Sequence, residues 1–136
     1  MPNSLQNLSS LVGRVLIAVL FVPSGIGKAF AFSGTTGYIA SQGLPLPSLG
    51  AVIAILCELG LGLLVLFGFK TRISALLLAI FTVATGIFFH NYWDADAAQA
   101  MMQQINFYKN LAIAGGLLSI VAFGAGGWSL DGVRRR

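Results

Sequence analysis

The sequence predicts an all-α integral membrane protein, an antiparallel bundle of four transmembrane helices with both termini in the cytoplasm. Three observations carry that expectation. First, 57% of the 136 residues are apolar and only 9% are charged, whereas soluble domains average roughly 45–50% and 25%. With a mean hydropathy of +0.86, the chain has too few ionic groups to cover a water-facing surface, and disorder is excluded for the same reason. Second, four apolar stretches reach the ~20 residues that a bilayer crossing requires. Third, the loop lysines and arginines fall on alternate connections, as the positive-inside rule demands. A single cysteine, Cys57, rules out a disulfide scaffold.

The first span covers approximately Leu11 to Phe32. Ala29-Phe30-Ala31 resembles a signal-peptide cleavage site, but no Lys or Arg precedes the apolar run and Arg14 lies inside it, so a retained helix is expected. Ser33-Gly34-Thr35-Thr36-Gly37 opens a loop that Gly43-Leu44-Pro45-Leu46-Pro47 closes, both runs being rich in turn formers. The second span covers Ser48 to Phe69 and ends in a tight reversal, Gly68-Phe69-Lys70-Thr71-Arg72. The third runs from Ile73 to His90. A polar loop from Asn91 to Gln104, carrying Asp94 and Asp96, leads into the fourth, Ile105 to Gly124.

The net charge of +4 is not a nucleic-acid signature, because no basic stripe with interleaved aromatics is present. Lys70 and Arg72 flank the second loop, and Arg134, Arg135 and Arg136 end the chain, while the first and third loops have no Lys or Arg. The second loop and both termini are therefore assigned to the cytoplasm. Tyr92, Trp93, Phe107 and Tyr108 mark one membrane interface and Trp128 the other. Lys28 and Lys109, near outer helix ends, fit this topology if both point into the bundle.

Every span carries an ionisable group. Arg14 and Lys28 lie in the first, Glu58 near the middle of the second, His90 at the outer end of the third, and Lys109 in the fourth. An Arg, Lys or Asp at a helix centre costs about 2.5–3.5 kcal/mol on the insertion scale, so such groups face the bundle interior and find partners. Helical spacing allows this. Arg14, Ile17, Phe21, Ser24 and Lys28 share one stripe; Ala51, Ala54, Glu58 and Gly62 another; Ala79, Thr82, Gly86 and His90 a third; Lys109, Ala112, Gly116 and Ser119 a fourth. Small residues on these stripes let helices approach closely.

Glu58 falls about 15 Å below the outer surface, at ten residues of helix rise. It is expected to pair with Lys28 or Lys109, leaving one cation to lose its proton, reach outward or meet an anionic guest. The ordinary readings are that Arg14 anchors the inner interface, His90 is interfacial, and Cys57, about 100° around the helix from Glu58, is packing. No metal site is expected, since His90 has no second His or Cys nearby.

The chain resembles the DoxX family of small four-helix membrane proteins over nearly its whole length. The segments that carry the resemblance are Gly13-Arg14, Ser24-Gly25-Ile26-Gly27-Lys28, the Gly43 to Pro47 run, and Cys57-Glu58-Leu59-Gly60-Leu61-Gly62-Leu63 leading into Gly68 to Arg72. Phe107-Tyr108-Lys109-Asn110-Leu111, Gly115-Gly116-Leu117-Leu118 and Ser129-Leu130-Asp131 complete it. The resemblance implies a bacterial inner-membrane protein with a link to quinone, redox or oxidative-stress chemistry, without implying turnover. It carries over Arg14, Lys28, Glu58, His90, Lys109 and Asn110 as the polar network. The sequence has no haem-ligand pair, flavin motif or cysteine pair, so a bound quinone or an oxidoreductase partner subunit would have to move electrons.

The leading expectation is an outward-facing polar pocket that binds a small acidic or quinone-like molecule. In it Glu58 is counter-ion or proton acceptor, Lys28 and Lys109 are anchors, and His90 exchanges protons. Two alternatives are a small proton-coupled transporter and a non-catalytic assembly module whose charges only hold the bundle. The glycine-rich faces, including Gly60, Gly62 and Gly115-Gly116, fit a homo-oligomer.

Overall fold

The computed structural model describes residues 3–135; Arg136, counted above among the topology-setting cations, lies outside them. The described residues form helices α1 (Ser4–Phe30), α2 (Phe32–Ser41), α3 (Pro47–Ile55), a π-helical turn (Leu56–Leu61), α4 (Gly62–Phe67), α5 (Thr71–Phe89), a 3₁₀ turn (Tyr92–Asp94), α6 (Ala100–Phe123) and α7 (Leu130–Val133). Four segments are long and apolar enough to cross a membrane: Ser4–Phe30, Pro47–Phe67, Thr71–Asp94 and Ala100–Phe123. The four expected spans are all present, with longer N-terminal ends on the first and last. Most large apolar side chains point outward, as a lipid-facing surface requires; Leu5, Leu16, Val19, Leu56, Ile80 and Phe123 are examples.

The first span starts earlier than expected because Asn3 caps it. The Asn3 side chain accepts from the Gln6 N–H at 2.8 Å, and the Gln6 side chain returns the bond to the Asn3 N–H at 2.9 Å. Pro23 sits inside this helix. Having no N–H, it removes one helical hydrogen bond in the C-terminal third of the helix.

The first loop is a correction. Ser33 to Gly37, expected as a turn, is the start of α2. Thr35 and Thr36 satisfy their hydroxyls on the local backbone, at Ala31 O (3.0 Å) and Ser33 O (2.9 Å), which makes the polar stretch compatible with a helix. At ten residues, about 15 Å long, α2 is too short to cross. Only Gln42 to Leu46 connects it to the second span, where Leu46 adopts a left-handed conformation (φ 51°) and Pro47 takes the first turn of α3.

Both chain ends meet the turn between the second and third spans. Gly68 closes α4 at φ 69°, where glycine is favoured. The carboxylate of Asp131 then caps α5 from a distance: it accepts from the Lys70 and Thr71 N–H groups (2.9 and 2.8 Å) and from the Thr71 hydroxyl (2.6 Å). Ser10 donates to Ala125 O, and Asn7 accepts from the Gly127 N–H. Arg14 was expected as an interface anchor. It is instead 1% exposed, and its guanidinium donates to the Val65, Leu66 and Trp128 carbonyls. At the end of α4, Val65 O has only the Gly68 N–H of the cap as a backbone partner and Leu66 O has none among the described residues. A planar fork of donors suits such carbonyls better than an ammonium.

The core is formed by Phe21, Val65, Ala75, Leu78, Ala79, Ala114 and Leu117, where α5 and α6 pack most extensively. This packing fixes the rotation of α6 and reverses the expected fourth stripe. Lys109, Ala112, Gly116 and Ser119 are all exposed, while Asn110, Ala114 and Leu117 turn inward. Lipid tails are as apolar as a protein core, so the apolar pattern on this helix could not tell inside from outside.

Candidate functional site

The site lies in the half of the bundle away from the termini. Its first wall is α1, where Ser24 and Lys28, one turn apart, follow Pro23. Gly25 brings α1 into backbone contact with the second span: a Cβ there would lie 2.6 Å from the Leu59 nitrogen and 2.8 Å from its Cβ. The second span answers with the π-turn Leu56–Leu61, which inserts an extra residue per turn and carries Glu58. Such turns are rare and concentrate at functional positions.

Here the expected ion pair forms, and its cation is Lys28. The Lys28 ammonium lies 2.9 Å from Glu58 Oε2 and 3.1 Å from Oε1. It also donates to Ser24 Oγ at 2.8 Å, and the Ser24 hydroxyl donates on to Glu58 Oε2 at 3.3 Å. Glu58 is 8% exposed. The hydroxyl and the doubly engaged ammonium supply the hydrogen-bond partners that a carboxylate needs when it is buried away from water.

The opposite wall comes from α5 and α6. The Asn110 amide donates to Thr82 O (3.0 Å) and to the Thr85 hydroxyl oxygen (3.3 Å). Gly86 makes room for it, since a Cβ at that position would meet Asn110 at 3.4 Å. His90, at the end of α5, has Nδ1 2.9 Å from Gln103 Oε1. Between the walls is a cavity of about 540 Å³, closed on one side by α2, whose Thr35, Tyr38 and Ile39 line it. Its surface is mostly apolar and aromatic, with Phe21, Phe81, Phe88 and Phe89 beside the few polar groups. Tyr38 stacks on Phe89 at 5.6 Å between ring centroids, tying α2 to α5.

Of the six residues selected from sequence, Lys28, Glu58, His90 and Asn110 line this one cavity. Arg14 belongs to the terminal clasp. Lys109 is exposed on the outer face of α6 and is not Glu58's partner. The expected surplus cation in the pocket is therefore absent, and the cavity carries a matched pair of charges. Sequence reasoning missed Thr35, Tyr38 and Thr85. The first two sit on the unforeseen α2; the apolar Tyr38-Ile39-Ala40 run was the signal that a loop assignment ignored. Among the described residues, no three His, Cys, Asp or Glu side chains gather to hold a metal.

A pocket of this size with apolar walls and a few fixed polar groups has the form of a small-molecule site. The DoxX family model matches residues 9–91. The chain is 38% identical to inner membrane protein YphA of Escherichia coli over 89% of its own length and 86% of that protein's. It is 40% identical to inner membrane protein YqjF of the same organism, over 95% and 94%. A more distant similarity, 25% identity, joins it to 42% of the Surfeit locus protein 4 homolog of Drosophila melanogaster. No solved structure matches the chain. The protein belongs to the DoxX family and is a multi-pass protein of the inner membrane.

Proposed function

We propose that this DoxX-family protein binds a small aromatic molecule with one or two polar oxygens, of quinone or phenol type, between α1, the second span, α5 and α6. The observation that supports this reading is the Lys28–Glu58 pair in the wall of an otherwise aromatic cavity. Charges are costly there unless they serve a guest or a network, and about 540 Å³ suits one or two rings. The Lys28–Glu58 pair makes one wall of the cavity polar, and the phenylalanines hold the ring of the guest. Lys70, Arg72, Arg134 and Arg135 all belong to the end that holds the termini, which favours a cytoplasmic location for that end. The cavity then opens in the periplasmic half, within a redox- or stress-linked membrane system of the sort the family resemblance implies.

The test is thermal stabilisation of the purified protein by a panel of benzoquinones, naphthoquinones and phenols. Wild type should be stabilised by some of them. Ala54→Phe, which fills the cavity from α3, should keep its helical circular dichroism and lose the stabilisation. If no compound stabilises wild type, or the filled variant responds equally, the reading fails.

A second reading, a proton-coupled carrier, is favoured by one feature: Glu58 sits on a π-turn facing the Pro23-interrupted helix, an irregular backbone lining a cavity as carriers use. Substrate-driven proton flux in proteoliposomes, abolished by Glu58→Gln, would support it.

A further inference from the structure

The hydrogens of the cavity's polar groups are almost all spent on the protein itself. The Thr82 hydroxyl donates to Leu78 O, and the Thr85 hydroxyl donates to Thr82 O. The Ser24 hydroxyl goes to Glu58, and Lys28 points its ammonium at Ser24 and both carboxylate oxygens. The Thr35 hydroxyl is held by the Lys28 and Ala31 carbonyls, and His90 engages Gln103 Oε1 through Nδ1 at 2.9 Å. Outside the His90 ring, only the Tyr38 hydroxyl, on the half-exposed ring of α2, keeps an uncommitted hydrogen among these groups.

Asn110 completes the pattern. A backbone carbonyl can only accept, so the contact with Thr82 O fixes the amide nitrogen on the α5 side. Both amide hydrogens are then used, on Thr82 and Thr85. The carbonyl oxygen, Oδ1, accepts no hydrogen bond among the described residues. It is not sealed in the packing either: Arg14 Nε is the only fully buried side-chain polar atom there without a partner, and Asn110 lines the cavity.

Building on the small-molecule reading, we infer that the cavity selects a guest that donates a hydrogen bond, a neutral phenol or the reduced, hydroxyl form of a quinone, through Asn110 Oδ1. An oxidised quinone brings only acceptors and would leave Oδ1 unpaired once water is displaced. A phenolate or carboxylate would set a lone pair against it. Asn110 thus acts as the specificity residue, with Thr82 and Thr85 locking its orientation. A site built to bond a hydroxyl discriminates strongly against an analogue without it.

The experiment is calorimetric titration of the full chain in detergent micelles with 4-propylphenol and 4-propylanisole, each corrected for partition into empty micelles. The pair differs by replacement of the hydroxyl hydrogen with a methyl group and involves no redox change. The expected result is about tenfold tighter binding of the phenol, falling to near parity in Asn110→Leu. If both ligands bind wild type equally, the donor inference is overturned while the cavity reading stands. If neither binds, both fall. If Asn110→Leu keeps the full preference, or if its anisole binding is lost along with the phenol's, the role assigned to Asn110 is overturned. The wild-type comparison needs no variant, so a misfolded Asn110→Leu would leave the donor inference exposed to test.

Discussion

Lys28 and Glu58, thirty positions apart on neighbouring spans, meet at 2.9 Å with Ser24 bridging them. Pro23, Gly25 and the π-turn all lie within one or two helical turns of the contact. The backbone irregularities of both spans are thus concentrated where the charges are.

The pair predicts non-additive stability. Lys28→Met leaves a buried carboxylate alone and Glu58→Gln leaves an ammonium alone. Each should cost about 1–3 kcal/mol, below the figure for a fully buried pair because a third of the Lys28 side chain is exposed. The double variant should be closer to wild type than the sum of the two. Thermal unfolding in detergent checks this, and additive losses would contradict it.

Gly25 and Gly116 should respond oppositely to a methyl group. At Gly25 a Cβ would collide with Leu59 backbone, so Gly25→Ala should destabilise by about 1–3 kcal/mol. Gly116 has open space around it, and Gly116→Ala should stay within about 0.5 kcal/mol of wild type. A large loss at Gly116 would mean that α6 is rotated from the orientation described.

Arg14 should matter for stability and not for ligand binding. Arg14→Gln and Arg14→Lys should each lose about 2–4 kcal/mol, because neither can reach the α4 carbonyls and the Trp128 carbonyl together. Limited proteolysis near Trp128 should accelerate in both. Rescue by lysine would contradict the account.

Asp131 predicts a pH-dependent clasp. Partial burial raises its pKa, but hydrogen bonds from the Thr71 hydroxyl and N–H and from the Lys70 N–H, with the Arg135 charge, outweigh that and hold it below the ordinary carboxylate range. A carboxylate depressed in the folded state stabilises above its unfolded pKa and loses that contribution as pH falls through the folded one. Amide exchange at Lys70 and Thr71 should therefore speed up below about pH 4, beyond its intrinsic pH dependence. Asp131→Asn should exchange fast at neutral pH and show no such extra acceleration.

The spans were legible in the sequence because the bilayer sets length and polarity together. Glu58 and Lys28 were legible for the same reason: the cost of a charge in lipid restricts where it can point. The rotation of α6 was not, since lipid and core are equally apolar and only packing at Ala114 and Leu117 decides. Arg14 shares the polar stripe of Lys28, and periodicity gives no depth; it took the carbonyls at the end of α4 to claim it. The π-turn has no local signature, for one extra residue per turn leaves composition unchanged. Asp131 carried no sign of its role, because a cap supplied from sixty residues away is invisible to neighbour-by-neighbour reading.

A structure of the full chain with a brominated alkylphenol, phased on bromine anomalous scattering, tests the central claim most directly. The account predicts a bromine peak between α1, the second span, α5 and α6, with the phenol oxygen within hydrogen-bonding distance of Asn110 Oδ1. Bromine only on the lipid-facing surface, with the Lys28–Glu58 cavity unoccupied at saturating ligand, would contradict it.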